Sequence, residues 1–133
     1  MSKLTPPFVV RERGDLIVFD RLEDIESQVE AYDVGSCEFF DANGQRLVSS
    51  VNGYRVQLHP DPKSTPEPDR LEAMLRSYLG GLGVRRPRFA DYASAANRAT
   101  SLHELLQLRL KLSNEPRYGF WSRIRQRFDG SRR

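Results

Sequence analysis

The sequence is poor in the residue types from which most catalytic and metal centres are built. Its 133 residues include one cysteine, Cys37, and two histidines, His59 and His103. A single cysteine excludes an internal disulfide, and neither histidine has a cysteine, histidine or carboxylate neighbour at metal-site spacing. We therefore expect no metal site, no cofactor and no enzymatic activity, and the lone thiol favours a reduced, cytosolic setting.

Long apolar segments are also missing. The apolar patch in the first ten residues is interrupted by two prolines and is shorter than the core of a secretory signal. The leucine-rich stretch over residues 102–112 contains Glu104 and Arg109, and it is too short to span a bilayer. The sequence therefore predicts a cytoplasmic protein without a transmembrane segment.

The N-terminal segment predicts a β-hairpin followed by an acidic helix. The run Asp15–Phe19 is apolar and β-branched, as in a buried strand, and Phe8–Val10 can pair with it across Arg13-Gly14. Asp20 and Glu23 then have the spacing of a capping box, which predicts a helix that ends at Gly35. Its apolar face carries Leu22, Ile25, Val29 and Tyr32.

Two turn sequences follow this helix. Asn43-Gly44 and Asn52-Gly53 are typical of tight turns, so we expect three antiparallel strands between Cys37 and His59. The segment Asp41-Ala-Asn-Gly-Gln45 is similar to the start of a calcium loop. Arg46 and Asn52, however, stand where that loop needs glycine and glutamate, which favours a plain turn.

The second half of the chain is helical in pattern. Apolar residues recur at helical spacing from Leu71 to Leu82, and the glycines at 80, 81 and 83 predict the end of that helix. The same glycines follow a helix and do not precede one, which argues against a phosphate-binding loop. A further helix is expected over residues 90–99.

Residues 102–112 carry two conflicting signals. Alternate leucines favour a strand, whereas Ser101 and Glu104 form a capping pair that favours a helix, and we predict the helix. Beyond it, four apolar residues fall on one helical arc and can dock on the core, namely Phe120, Trp121, Ile124 and Phe128.

These patterns together predict an α+β fold. We expect a small antiparallel β-meander sheet packed by two amphipathic helices in a core domain over residues 1–83. A basic, helical C-terminal extension over residues 84–133 is expected to pack on that core.

Charge is segregated along the chain. Residues 15–72 hold 13 acidic and 5 basic side chains, a balance of −8, and residues 73–133 hold 4 acidic and 13 basic ones, a balance of +9. Either solvated faces or two binding surfaces explain this pattern. The acidic candidates for partner binding are Glu23, Asp24, Glu26, Glu30, Asp33, Glu38 and Asp41. A secondary basic surface would contain Arg85, Arg86, Arg88, Arg123, Arg125 and Arg127.

Residues 14–82 resemble a class of small bacterial proteins. The resemblance lies in the Asp15-Leu-Ile-Val-Phe19 strand, the helix ending in Glu30-Ala-Tyr-Asp-Val34, and the hairpin Glu38-Phe-Phe-Asp-Ala-Asn-Gly-Gln-Arg-Leu47. Some members of this class are immunity proteins of polymorphic toxin systems. The resemblance implies a cytosolic antitoxin that binds and neutralises one secreted toxin domain.

Other functions stay open at this point. The arginine-rich tail also suits a nucleic-acid-associated accessory protein, with Trp121 available for stacking, or a helix lying on a membrane surface. A small enzyme without a known motif is a further alternative.

Overall fold

The computed structural model describes residues 4–29, 34–53 and 55–115, which adopt the predicted α+β fold with a five-stranded antiparallel sheet and four helices. The strands are β1 (Phe8–Glu12), β2 (Asp15–Phe19), β3 (Cys37–Phe40), β4 (Arg46–Asn52) and β5 (Arg55–Pro60). The helices are α1 (Leu22–Gln28), α2 (Pro68–Arg85), α3 (Ala90–Arg98) and α4 (Leu102–Ser113). Short 3-10 turns occupy Val34–Ser36 and Pro87–Phe89.

Both predicted β-hairpin regions are confirmed. β1 and β2 pair across a tight turn in which Arg13 adopts a φ of 56°, and β3, β4 and β5 form the expected meander. β1 also pairs with β3, so the strand order is β2-β1-β3-β4-β5. The two edges of the sheet are therefore β2 and β5.

α1 is shorter than predicted and begins differently. Arg21, not Asp20, is the N-cap residue, and no side chain caps the helix, because Asp20 lies one position too early to reach the free amides. The helix ends at Gln28, where Val29 becomes extended, with a φ of −85° and a ψ of 126°. Ile25 and Val29 are buried as expected, whereas Tyr32 lies outside the described residues.

The predicted end of α2 at its glycines is wrong. The helix continues through all three glycines to Arg85. A Cβ on Gly83 would lie 2.6 Å from the Cβ of Ala93, so this glycine allows the close approach of α3. Packing between α2 and α3, and not helix termination, therefore explains why residue 83 is a glycine.

α4 resolves the ambiguity over residues 102–112 in favour of the helix. The amide of Glu104 donates to Ser101 Oγ at 3.2 Å, which confirms the predicted cap. α4 contacts α2, α3 and β2, and it buries three leucines. The alternation of leucines comes from a helix with apolar contacts on more than one side.

One continuous core joins the two halves of the chain. Buried apolar residues extend from Phe8 in β1 to Leu112 in α4. The predicted boundary between residues 83 and 84 falls inside α2. β2 is buried on both faces, and α1 contacts both of the sheet's edge strands. None of the helices within the described ranges has the length and hydrophobicity needed to cross a membrane.

Arg109 is a fully buried arginine in the middle of α4. Its Nε donates to the carbonyl oxygen of Leu16 in β2 at 2.7 Å, and Nη1 donates to Ser113 Oγ at 2.7 Å. The guanidinium carbon lies 5.5 Å from the ring centroid of Tyr78 in α2. This one side chain therefore connects an edge strand to two helices.

Replacing Arg109 with leucine is expected to lower the free energy of unfolding by roughly 3 kcal/mol, because the buried carbonyl of Leu16 loses its donor. Chemical denaturation would measure the change. Arg98→Leu is the control: Arg98 is exposed on α3, and we expect a change within about 0.5 kcal/mol. Equal effects of the two variants would contradict this role of Arg109.

The two glycines Gly83 and Gly80 provide a matched test of the α2–α3 contact. Gly83→Ala should destabilise the protein by roughly 1–3 kcal/mol, since its Cβ would meet Ala93. Gly80→Ala should stabilise it by about 0.5–1 kcal/mol, because nothing lies within 4 Å of its Cβ and alanine favours helix. Thermal or urea unfolding of both variants should show opposite signs.

Candidate functional site

The carboxylates predicted to form one acidic surface have different environments. Asp41 is only 2% exposed and does not face solvent. Its Oδ1 accepts from the backbone amides of Asn43 and Gln45, each at 2.9 Å. Its Oδ2 accepts from the backbone amide of Thr5 at 3.1 Å. Asp41 therefore organises the β3–β4 turn and ties the N-terminal segment to it.

Glu38 forms ion pairs with arginines on the side of the sheet that faces α2. Its carboxylate forms ion pairs with Arg11 at 3.1 Å, Arg46 at 3.3 Å and Arg70 at 3.5 Å. These arginines come from β1, β4 and α2. Because three guanidiniums share one carboxylate, the surroundings of Glu38 are positive in sum, the opposite of the predicted acidic surface.

The α1 carboxylates divide into a structural one and exposed ones. Glu26 is half-buried, and its Oε2 accepts from the backbone amide of Leu58 in β5 at 2.8 Å. Glu26 therefore does not project freely into solvent. Glu23 is 69% exposed and forms a surface ion pair with Arg21 at 3.3 Å, and Asp24 is half-buried. Glu30 and Asp33 lie outside the described residues.

A groove between α1 and β5 brings part of the predicted site together with the sheet. Its volume is about 450 Å³, and it is lined by Glu23, Glu26, Ser27, Arg55, Val56 and Gln57. Sequence reasoning identified the two glutamates but not the β5 residues, because no local pattern indicates that α1 lies along this edge strand.

The groove leads onto a hairpin end that is exposed on both faces. All residues from 48 to 53 are exposed, including two large apolar side chains, Val48 at 39% and Val51 at 47%. Val51 pairs with Val56, and Val48 pairs with His59 on the opposite face. His59 Nε2 lies 3.0 Å from Ser50 Oγ. The two exposed valines provide apolar area that a complex would remove from water.

The predicted basic surface is described only in part. Arg85 and Arg88 are exposed and Arg86 is half-buried, and the guanidinium of Arg88 lies 5.4 Å from the centroid of the Phe89 ring. Arg123, Arg125 and Arg127 fall outside the described residues.

Neither histidine belongs to a metal-binding cluster in the described part of the chain. No group of three or more histidine, cysteine or carboxylate side chains there is arranged to hold a metal ion. His103 is exposed in the first turn of α4. Cys37 is half-buried, with its Sγ 3.5 Å from Glu12 Oε2.

Comparison with known proteins adds no assignment: no protein-family model, no curated protein and no solved structure matches the chain.

The contrast between Glu26 and Glu23 is testable with paired alanine variants on the same helix. Glu26→Ala should lower the free energy of unfolding by about 1.5 kcal/mol, since the amide of Leu58 loses its acceptor. Glu23→Ala should change it by less than about 0.5 kcal/mol, because its ion pair is exposed. Equal losses in urea denaturation would contradict the structural assignment of Glu26.

Proposed function

We propose that this protein is a cytoplasmic immunity protein that binds and neutralises the toxin domain of a polymorphic toxin system, acting by binding and not by catalysis. The observation that carries the proposal is the end of the β4–β5 hairpin, which presents Val48 and Val51 to solvent on opposite faces. The resemblance of residues 14–82 to immunity proteins supports the same function.

The hairpin end offers the partner a surface of mixed character. Burying an exposed valine in a complex removes apolar area from water, which favours association. Ser49 lies on the same strand face as Val51, and Ser50 and Asn52 lie on the same face as Val48, so polar groups adjoin each valine. Such a surface suits a folded protein partner.

Electrostatics are expected to assist this encounter from the adjoining groove. Among the described carboxylates of the predicted acidic surface, Glu23, which lines this groove, and Asp24, the next residue of α1, retain contact with solvent without serving the sheet. They attract a partner with cationic side chains around its active site and raise the association rate. Glu26 also lines this groove, but its carboxylate accepts a hydrogen bond from β5.

The hairpin contribution is tested by Val51→Lys in the full chain against the toxin domain encoded beside it. We expect the dissociation constant to rise about tenfold or more, and protection of cells from that toxin to fall, because a charge replaces a buried apolar contact. Val84→Lys is the matched control, since Val84 is 83% exposed at the far end of α2.

Unchanged affinity and full protection with Val51→Lys would reject the hairpin as the binding surface. Failure of the wild-type protein to bind or protect would reject the immunity function itself. The electrostatic contribution to the association rate is tested separately. Glu23→Lys should slow association at low ionic strength. Asp91→Lys, an equal charge change on α3, is the control and should not.

A further inference from the structure

A second cavity lies between α2 and the β1–β2 hairpin, and its rim is strongly basic. Its volume is about 410 Å³. Among the described residues, four arginines line it: Arg11 and Arg13 from the hairpin, and Arg70 and Arg85 from α2. No carboxylate is found among the described residues that line it. Sequence analysis did not group these residues, because they are up to 74 positions apart and meet only in the folded chain.

Two of the four guanidiniums are held in place by one carboxylate. Arg11 and Arg70 both pair with Glu38, which also pairs with Arg46. One negative charge thus faces three positive charges, so it orients the arginines without neutralising them. Prepositioned guanidiniums bind oxyanions with a smaller loss of side-chain entropy.

The other two arginines make no ion pair with a described residue. Arg13 stands in the β1–β2 turn at a φ of 56°, a conformation that favours glycine over arginine. Arg85 folds back along α2, with its Nη1 3.0 Å from the position that a Cβ on Gly81 would occupy. Both guanidiniums are therefore available to a ligand at the mouth of the cavity.

The rest of the cavity lining is less polar than its four arginines. Leu16, Ala73 and Met74 line it, and Ser77 adds a hydroxyl group. Tyr78, whose ring contacts the buried Arg109, completes the wall. A volume of this size is in the usual range for small-molecule sites. The cavity therefore suits a ligand with a dense negative charge and a compact, partly apolar body.

We propose that this cavity binds a phosphate-bearing small molecule. The phosphate oxygens accept from the exposed Arg13 and Arg85 and from the half-buried Arg11 and Arg70, since guanidinium groups match phosphate in bidentate geometry. The remainder of the ligand lies against Leu16 and Met74. This site uses residues outside the α1–β5 groove, so it does not depend on the immunity function.

The proposal is tested by isothermal titration calorimetry of the full chain at low salt in phosphate-free buffer, with pyrophosphate, adenosine diphosphate and adenosine as probes. We expect saturable binding of both phosphate compounds and none of adenosine. Tighter binding of the diphosphate nucleotide than of pyrophosphate would identify a nucleotide-like ligand. Equal binding would indicate that the phosphate groups alone are recognised. Either result supports a phosphate-binding site, and equal binding would overturn the contact of the ligand body with Leu16 and Met74.

The double variant Arg13→Gly/Arg85→Ala should bind both phosphate compounds about tenfold more weakly or worse. It should fold normally, because glycine suits the turn at residue 13 and Arg85 is exposed. Arg55→Ala/Arg98→Ala is the control, since it removes the same charge at exposed positions outside the cavity. The proposal is overturned if wild type shows no saturable binding at millimolar concentrations, if adenosine binds as well as its diphosphate, or if the two double variants bind equally.

Discussion

The buried guanidinium of Arg109 is the interaction on which the assembly of sheet and helices depends. It donates to the carbonyl of Leu16, 93 residues away in the edge strand β2, and it lies against Tyr78 of α2. Burying a charged group is costly unless it is hydrogen-bonded, so the bonds to Leu16 and Ser113 favour this position of α4 against the strand. The wall of the basic cavity, which includes Leu16 and Tyr78, is fixed by the same contact.

A helix side chain also contacts the opposite edge strand of the sheet, β5. Glu26 of α1 accepts from the amide of Leu58 in β5. A helix side chain thus engages one backbone group at each edge, a carbonyl in β2 and an amide in β5. Unpaired edges invite association with other strands, and such contacts protect them. What stays open is the end of the β4–β5 hairpin, where the proposed partner surface lies.

These contacts explain why a count of charges along the sequence did not show which carboxylates face solvent. Asp41, Glu38 and Glu26 lie in the acidic segment, yet one serves a turn, one pairs with arginines and one serves a strand edge. A balance of −8 along the chain does not distinguish a carboxylate facing solvent from one that accepts a buried amide. The basic cavity was missed for a related reason: its arginines belong to separate segments, and only the fold brings them together.

The sequence by itself determined the local elements: the β-hairpins with their turns, and α4 with its Ser101 cap, all of which depend on hydrogen bonds between residues close in the chain. Only the tertiary structure decided that α2 passes through Gly83 to pack on α3, and that Arg109 is buried. The physical reason is the separation along the chain between the groups that interact. Turns and caps are satisfied within a few residues, whereas burial and charge environment depend on which distant segments meet.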